Sequence, residues 1–145
     1  MQNLRVLHIV KWYPNPEDPQ NGIFIKKHVD AASPDAPVIG FVNEHFPPHK
    51  EGNRTIYGAA RMGVAAKIAA FYAALAEHKP DLIHFHCYAK DLVPMLLIAR
   101  SRGLKTIHSE HWSGLLPNNE SSIRGMERTL MRWYFHRVNR VLSVS

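Results

Sequence analysis

One stretch constrains the fold more than any other: Lys79 to Trp112, KPDLIHFHCYAKDLVPMLLIARSRGLKTIHSEHW. Pro80 and Asp81 close whatever precedes them. Leu82 to His86 reads as a short buried strand, Leu92 to Arg102 as a helix with Gly103 as its cap, and Lys105 to Ser109 as a second strand. Strand–helix–strand order implies two parallel strands joined by a right-handed crossover. Both strands end in histidine-bearing sequence, His84-Phe85-His86 and His108-Ser109-Glu110-His111. In open α/β sheets ligands bind outside the carboxyl ends of the strands, so these imidazoles mark the expected site.

The rest of the chain repeats the alternation. Arg5 to Lys11 (RVLHIVK) has the β-branched, apolar content of a central strand. WYPNPEDPQNG, from Trp12 to Gly22, carries three prolines and an Asn-Gly, which exclude regular structure. Ile23 to Ala32 reads as a helix, Val38 to Val42 as a second strand, and Thr55-Ile56-Tyr57 as a strand-like patch expected at a sheet edge. A third strand in this region is expected to be abbreviated, because the long helix arrives soon after Val42. Met62 to Glu77 is the clearest amphipathic helix, with Val64, Ile68, Phe71 and Leu75 as its core stripe. After the Ser113–Glu120 loop, Ser122 to Val138 reads as a helix and Arg140 to Ser143 as a strand. The expected fold is a doubly wound, mainly parallel, Rossmann-like α/β sheet flanked by helices. At 145 residues the chain fits one domain. A chain stopping at Ser145, just past a strand, is read as the first domain of a longer protein.

Gly22 stands immediately before a helix, where free N–H groups and the helix dipole favour an anion. A plain turn glycine fits the same pattern, and the G-x-G-x-x-G dinucleotide fingerprint is absent. The net charge of +6 suits nucleotides, lipid headgroups or nucleic acid, and equally a solvated basic surface. Arg124, Arg128 and Arg132 recur every four residues beside Trp133 and Tyr134, a stripe suited to an anionic membrane surface. No RRM-type aromatic signature or helix-turn-helix pattern accompanies it, so nucleic acid is not expected as a partner. Metal is not expected either: His84, His86, His108, Glu110 and His111 lack an H-E-x-x-H or paired-cysteine pattern. His84 reads as a core histidine. Cys87, the only cysteine, reads as core packing in a reducing, cytoplasmic compartment. No signal-peptide pattern opens the chain, and no apolar run is long enough to span a membrane.

Three motifs carry a family resemblance. VLHIVKWYPNPEDPQNGIFIKKHVDAA, PDLIHFHCYAKDLVPMLLIARSRGLKTIHSEHW and VNRVLSVS resemble, in order and spacing, the N-terminal half of family-4 retaining glycosyltransferases of the GT-B fold. The resemblance implies an acceptor-side domain of an enzyme that moves a sugar, with retention, from a nucleotide-sugar donor to a glycan or lipid-linked acceptor. It implies a C-terminal nucleotide-sugar domain with a Glu-x7-Glu motif that this chain does not contain. The piece alone is then expected to be inactive, and the chemistry to need no metal or other cofactor. Carried over residue by residue, Asn21 and Gly22 form the donor-phosphate loop, although relatives often show Gly-Gly there. His111 is the catalytic candidate at the reaction centre. His86, Glu110, Trp12 and Tyr13 are expected to line the cleft on the acceptor side. Asn139 stands where relatives carry an aspartate before the last strand. A lipid-linked acceptor adds the expectation of peripheral contact at the inner face of the membrane. The alternative to an enzyme is a non-catalytic nucleotide- or phosphate-binding α/β module, which would use Gly22 and leave His111 incidental.

Overall fold

The computed structural model describes residues 4–40, 48–58, 63–111 and 123–143. Trp112, the Ser113–Glu120 loop, Val42, Met62, Ser122 and Ser145, all named above, lie outside the described residues. Among the described residues seven strands form one sheet: β1 Val6–Val10, β2 Val38–Gly40, β3 His49–Glu51, β4 Arg54–Gly58, β5 Leu82–His86, β6 Lys105–Glu110 and β7 Arg140–Ser143. Four helices are described with them: α1 Ile23–Ala32, α2 Gly63–His78, α3 Leu92–Ser101 and α4 Gly125–Phe135. The strand order is β3-β4-β2-β1-β5-β6-β7, and every pair but β3–β4 is parallel. This is a Rossmann-like α/β fold, as the alternating sequence pattern demands.

Alternation along each strand sorts the two faces. Leu7, Ile9, Ile39, Tyr57, Ile83 and Phe85 pack with Phe71 and Leu75 of α2, Leu92, Met95 and Leu96 of α3, and Tyr134 of α4. The opposite face gathers Val10, Val38 and Ile56 against Ile25 and Val29 of α1, with Tyr13 and Cys87. On that α1 face, His8, His84 and His86 occupy strand positions that aliphatic side chains would ordinarily fill.

Two expectations need correction. Thr55-Ile56-Tyr57 is not at the sheet edge: β4 runs five residues, all buried, between β2 and β3. The edge is β3, a short, exposed, polar strand that folds back through Gly52 (φ 61°) and Asn53 to pair Glu51 with Arg54. Its hydrophilic sequence hid it, since an edge strand facing water needs no apolar alternation. In α2, Val64 is 41% exposed rather than part of the core stripe. Lys67 is buried in its place, its ammonium 2.5 Å from Asp91 at the start of α3.

Asn139 is a clamp between the last two strands. Its Oδ1 accepts from the backbone N–H (2.9 Å) and the hydroxyl (3.0 Å) of Thr106. Its own N–H donates to the Thr106 carbonyl (3.1 Å), which sets the start of β7 against β6.

Candidate functional site at the carboxyl edge

The carboxyl ends of β1, β5 and β6 meet the first turn of α1. Gly22 caps α1 with φ 67°, a left-handed conformation that a side chain resists. A Cβ there would sit 2.4 Å from the Trp12 carbonyl oxygen, so the loop folds tightly onto the end of β1 only because residue 22 is glycine. No side chain caps the helix; the Ile23 N–H donates back to the Gln20 carbonyl (3.2 Å), and no side chain takes the next amides, where the helix dipole favours an anion. Upstream, Asn15 Oδ1 accepts from the N–H groups of Glu17 and Asp18 (both 3.0 Å), and the Asn21 N–H donates to the Asp18 carbonyl (3.2 Å).

His111, one residue past β6, lies under this same turn. Its ring centroid is 5.7 Å from that of Phe24 and 4.9 Å from that of His28, both on α1. The Gly22 loop and His111 are therefore on one edge of the sheet. Cys87 has φ 58°, unusual without glycine, and its N–H donates to the Ser109 carbonyl (3.0 Å). Burial, then the nearby Glu110 carboxylate, pushes its thiol up to about 12, which leaves it a packing residue rather than a nucleophile.

Behind His111 stands a stack of imidazoles. His86 Nδ1 is 3.3 Å from His111 Nε2, and His86 Nε2 is 3.0 Å from His8 Nδ1. His84 pairs in register with His8, stacks on His86 at 3.9 Å between centroids, and shares a 2.8 Å hydrogen bond with the Ser109 hydroxyl. Burial dominates their titration. It holds His8 down at about 3, with His84 and Arg54 adding repulsion, and His84 at about 4, with His108, His111 and His28 adding theirs. His86 is depressed further, by burial and then His84 and His8, and His111 is lowered by burial and then His28. All four imidazoles are neutral near pH 7.

Ring nitrogens of His8, His84 and His86 lie within 4.8 Å of one another, the grouping among the described residues closest to a metal ligand set. Its geometry is that of a hydrogen-bonded stack instead. The His84 and His86 rings are only 27° from parallel, so their in-plane lone pairs do not converge on a common point, and His8 Nδ1 already faces His86 Nε2.

The remaining candidates are spread over both faces of the sheet. His86 is 1% exposed and reaches the cleft only through His111, whereas His84, read as core, is half-buried. Glu110 turns to the α4 face: Oε2 accepts from the Tyr88 N–H (2.9 Å) and lies 3.1 Å from His108 Nε2. The other His108 nitrogen, Nδ1, bonds the Tyr134 hydroxyl (2.9 Å), so Glu110 braces the strand ends from below instead of lining an acceptor site. Tyr13 is fully buried. Its hydroxyl accepts from Arg54 Nη1 (3.1 Å), which also donates to Asp30 Oδ1 (2.6 Å), tying the loop after β1 to β4 and α1. Trp12 is half-buried, with the Lys11 ammonium 4.6 Å from its ring centroid. Arg124, Arg128 and Arg132 are exposed along α4, away from the imidazoles. His8, Phe24 and His28 were not singled out from sequence. A polar residue inside RVLHIVK was a signal for His8, legible once β1 is placed beside β5.

The glycine-led helix and His111 thus share the carboxyl edge of a Rossmann-like domain, the edge at which open α/β sheets bind ligands. The chain belongs to Glycosyltransferase Family 4, whose sequence model matches residues 25–145. The match begins inside α1, so β1 and the Gly22 loop precede it. Among curated proteins none matches the chain. Members of the family transfer sugars, with nucleotide-sugar donors and acceptors as substrates.

Proposed function

We propose that the chain is the acceptor-side domain of a retaining glycosyltransferase acting on a glycan or lipid-linked acceptor. The observation that carries this reading is His111 beside the first turn of α1 in a chain of this family. A donor pyrophosphate at the Gly22 loop would meet uncapped amides and a positive helix end. His111, neutral and a few ångströms away, hydrogen-bonds a sugar hydroxyl or the phosphate oxygen that gains charge as the glycosidic bond breaks. A second domain, carrying most of the nucleotide sugar, completes the site, and this piece alone does not catalyse. No metal is required in this scheme, because helix dipole and hydrogen-bond donors supply the stabilisation.

The experiment is a nucleotide-sugar panel on the longer protein, with the anomeric configuration of the product read by NMR. Transfer with retention, reduced about 100-fold or more by His111→Ala, is the expected result. No binding of any nucleotide sugar would favour a non-catalytic phosphate-binding module.

A membrane contact on the opposite flank has its own observation. Val93, Leu97, Met126, Leu130 and Trp133 line an apolar groove of about 390 Å³ between α3 and α4, with Met126 88% exposed. The exposed Arg124, Arg128 and Arg132 lie along the same helix, the combination suited to an anionic bilayer surface. Among the described residues no helix is long and apolar enough to cross a membrane.

A further inference from the structure

The two nitrogen–nitrogen contacts, His8 Nδ1 to His86 Nε2 at 3.0 Å and His86 Nδ1 to His111 Nε2 at 3.3 Å, have a joint consequence. In each, one nitrogen carries the proton and the other a lone pair. A neutral imidazole has one proton, so the choice made at His8 dictates the choice at His86 and then at His111. Only two registers exist. In one, all three rings are protonated on Nε2; in the other, all three are protonated on Nδ1.

The far end of the chain selects between them. His8 Nε2 is buried, in a residue 1% exposed, and has no hydrogen-bond partner among the described residues. The first register strands an N–H there; the second strands only a lone pair. Orphaned buried N–H groups are rarer than under-used acceptors, because the donor forfeits its single strong bond to water. The second register is therefore favoured: His8 Nδ1–H donates to His86 Nε2, and His86 Nδ1–H donates to His111 Nε2. His84, stacked on His86 and anchored by Ser109, holds the ring planes for these bonds.

We infer that His86, its own tautomer set by the buried end of the chain at His8, is a positioning residue that locks His111 in the tautomer with its proton on Nδ1, so the cleft is offered a neutral hydrogen-bond donor. A histidine free in water prefers the other tautomer, so the preference at His111 is imposed from the core. Among the described residues His111 makes no other side-chain hydrogen bond, which leaves Nδ1–H for a ligand oxygen. Resting on the glycosyltransferase reading, that oxygen belongs to the nucleotide sugar, as a sugar hydroxyl or a phosphate oxygen. His111 then acts there as a donor and not as a base, since Nδ1 is already protonated and Nε2 is occupied by His86.

The test is long-range ¹H–¹⁵N NMR on the 15N-histidine-labelled chain at pH 7.5, which reads each ring's tautomer directly. The expected spectrum has His111 protonated at Nδ1 and bare at Nε2; protonation at Nε2 overturns the inference. His86→Phe removes the donor facing His111 Nε2, and His111, at the sheet edge, is expected to revert to the Nε2–H form preferred in water. His8→Phe leaves His86 Nε2 as the buried end, where a stranded lone pair again costs less than a stranded N–H, so His111 is expected to keep its proton on Nδ1. An unchanged His111 in His86→Phe, or a reverted one in His8→Phe, overturns the inference. If His86→Phe fails to fold, the wild-type spectrum and His8→Phe still decide. In the longer enzyme, His86→Phe should lower kcat about 10-fold to 100-fold with little change in donor KM. A wild-type spectrum as expected, with no sugar transfer by any form, would leave the tautomer lock standing and count against the glycosyltransferase reading alone.

Discussion

His86 Nδ1 lies 3.3 Å from His111 Nε2, joining a fully buried strand end to the histidine beside the first turn of α1. Through it, the state of the sheet interior and the state of the site become one problem. The interior face of β1 and β5 carries three neutral imidazoles where an ordinary domain would carry valines, and the cost of that choice appears in acid.

Acid stability follows from the sign of the shifts. His8 and His84 titrate at about 3 and about 4 in the fold, and His86 lower still, against an unfolded value near 6.5. The unfolded chain therefore binds more protons below that value, so the stabilisation is complete at neutral pH and falls as pH drops toward the folded values. Each imidazole contributes a slope of about 1.4 kcal/mol per pH unit in that window. Urea unfolding at pH 7, 6 and 5 should show a steep loss from these three together, and His8→Asn should flatten it by one proton. A stability that is flat from pH 7 to 5 would refute this account.

Gly22 should tolerate no side chain. Gly22→Ala combines a positive φ with a Cβ driven into the Trp12 backbone, and should destabilise by about 2–4 kcal/mol. Gly52→Ala is the matched control: it has φ 61° but open space around it, and should lose only about 1 kcal/mol. Equal losses in chemical denaturation would mean that the close approach to Trp12 contributes nothing.

Arg54 holds Tyr13, Asp30 and the Ser33 carbonyl together from a site 2% exposed. Arg54→Met should cost about 2–4 kcal/mol, because the Tyr13 hydroxyl loses its donor inside the core. Tyr13→Phe leaves Arg54 paired with Asp30 and should cost about 1 kcal/mol. Thermal or urea unfolding of both variants checks the ranking, and the reverse order would reassign the anchor.

Arg124→Glu, Arg128→Glu and Arg132→Glu in combination should abolish co-sedimentation with phosphatidylglycerol vesicles. Stability should change little, since all three are exposed. Raised salt should weaken wild-type binding in the same assay. Wild-type protein that ignores anionic vesicles at low salt would remove the membrane contact from the proposal.

Much of the fold was legible because it rests on local periodicity. The ten-residue α1 begins and ends where IFIKKHVDAA suggests, and β5, α3 and β6 follow from the KPDLIHFH…TIHSEHW stretch almost residue for residue. The β3–β4 hairpin was not, although Gly52-Asn53 between two three- to five-residue runs is a turn signal. Its outer strand is polar because water covers it, so apolar alternation could not reveal it. Val64 misled in the other direction: it is exposed, and the helix buries Lys67 instead, a lysine neutralised there by Asp91, 24 residues away.

Chain order alone determined a parallel α/β sheet, a glycine at the head of the first helix and histidines at the strand ends, since these depend on neighbours within a few residues. Tertiary structure decided which histidine does what. Placing β1 beside β5 in register brings His8 across from His84 and onto His86, residues 78 positions apart in the chain. The same placement buries His86, turns Glu110 and Tyr13 into braces, and leaves His111 at the edge. Hydrogen-bond partners and burial are properties of strand order and register, which no local pattern encodes.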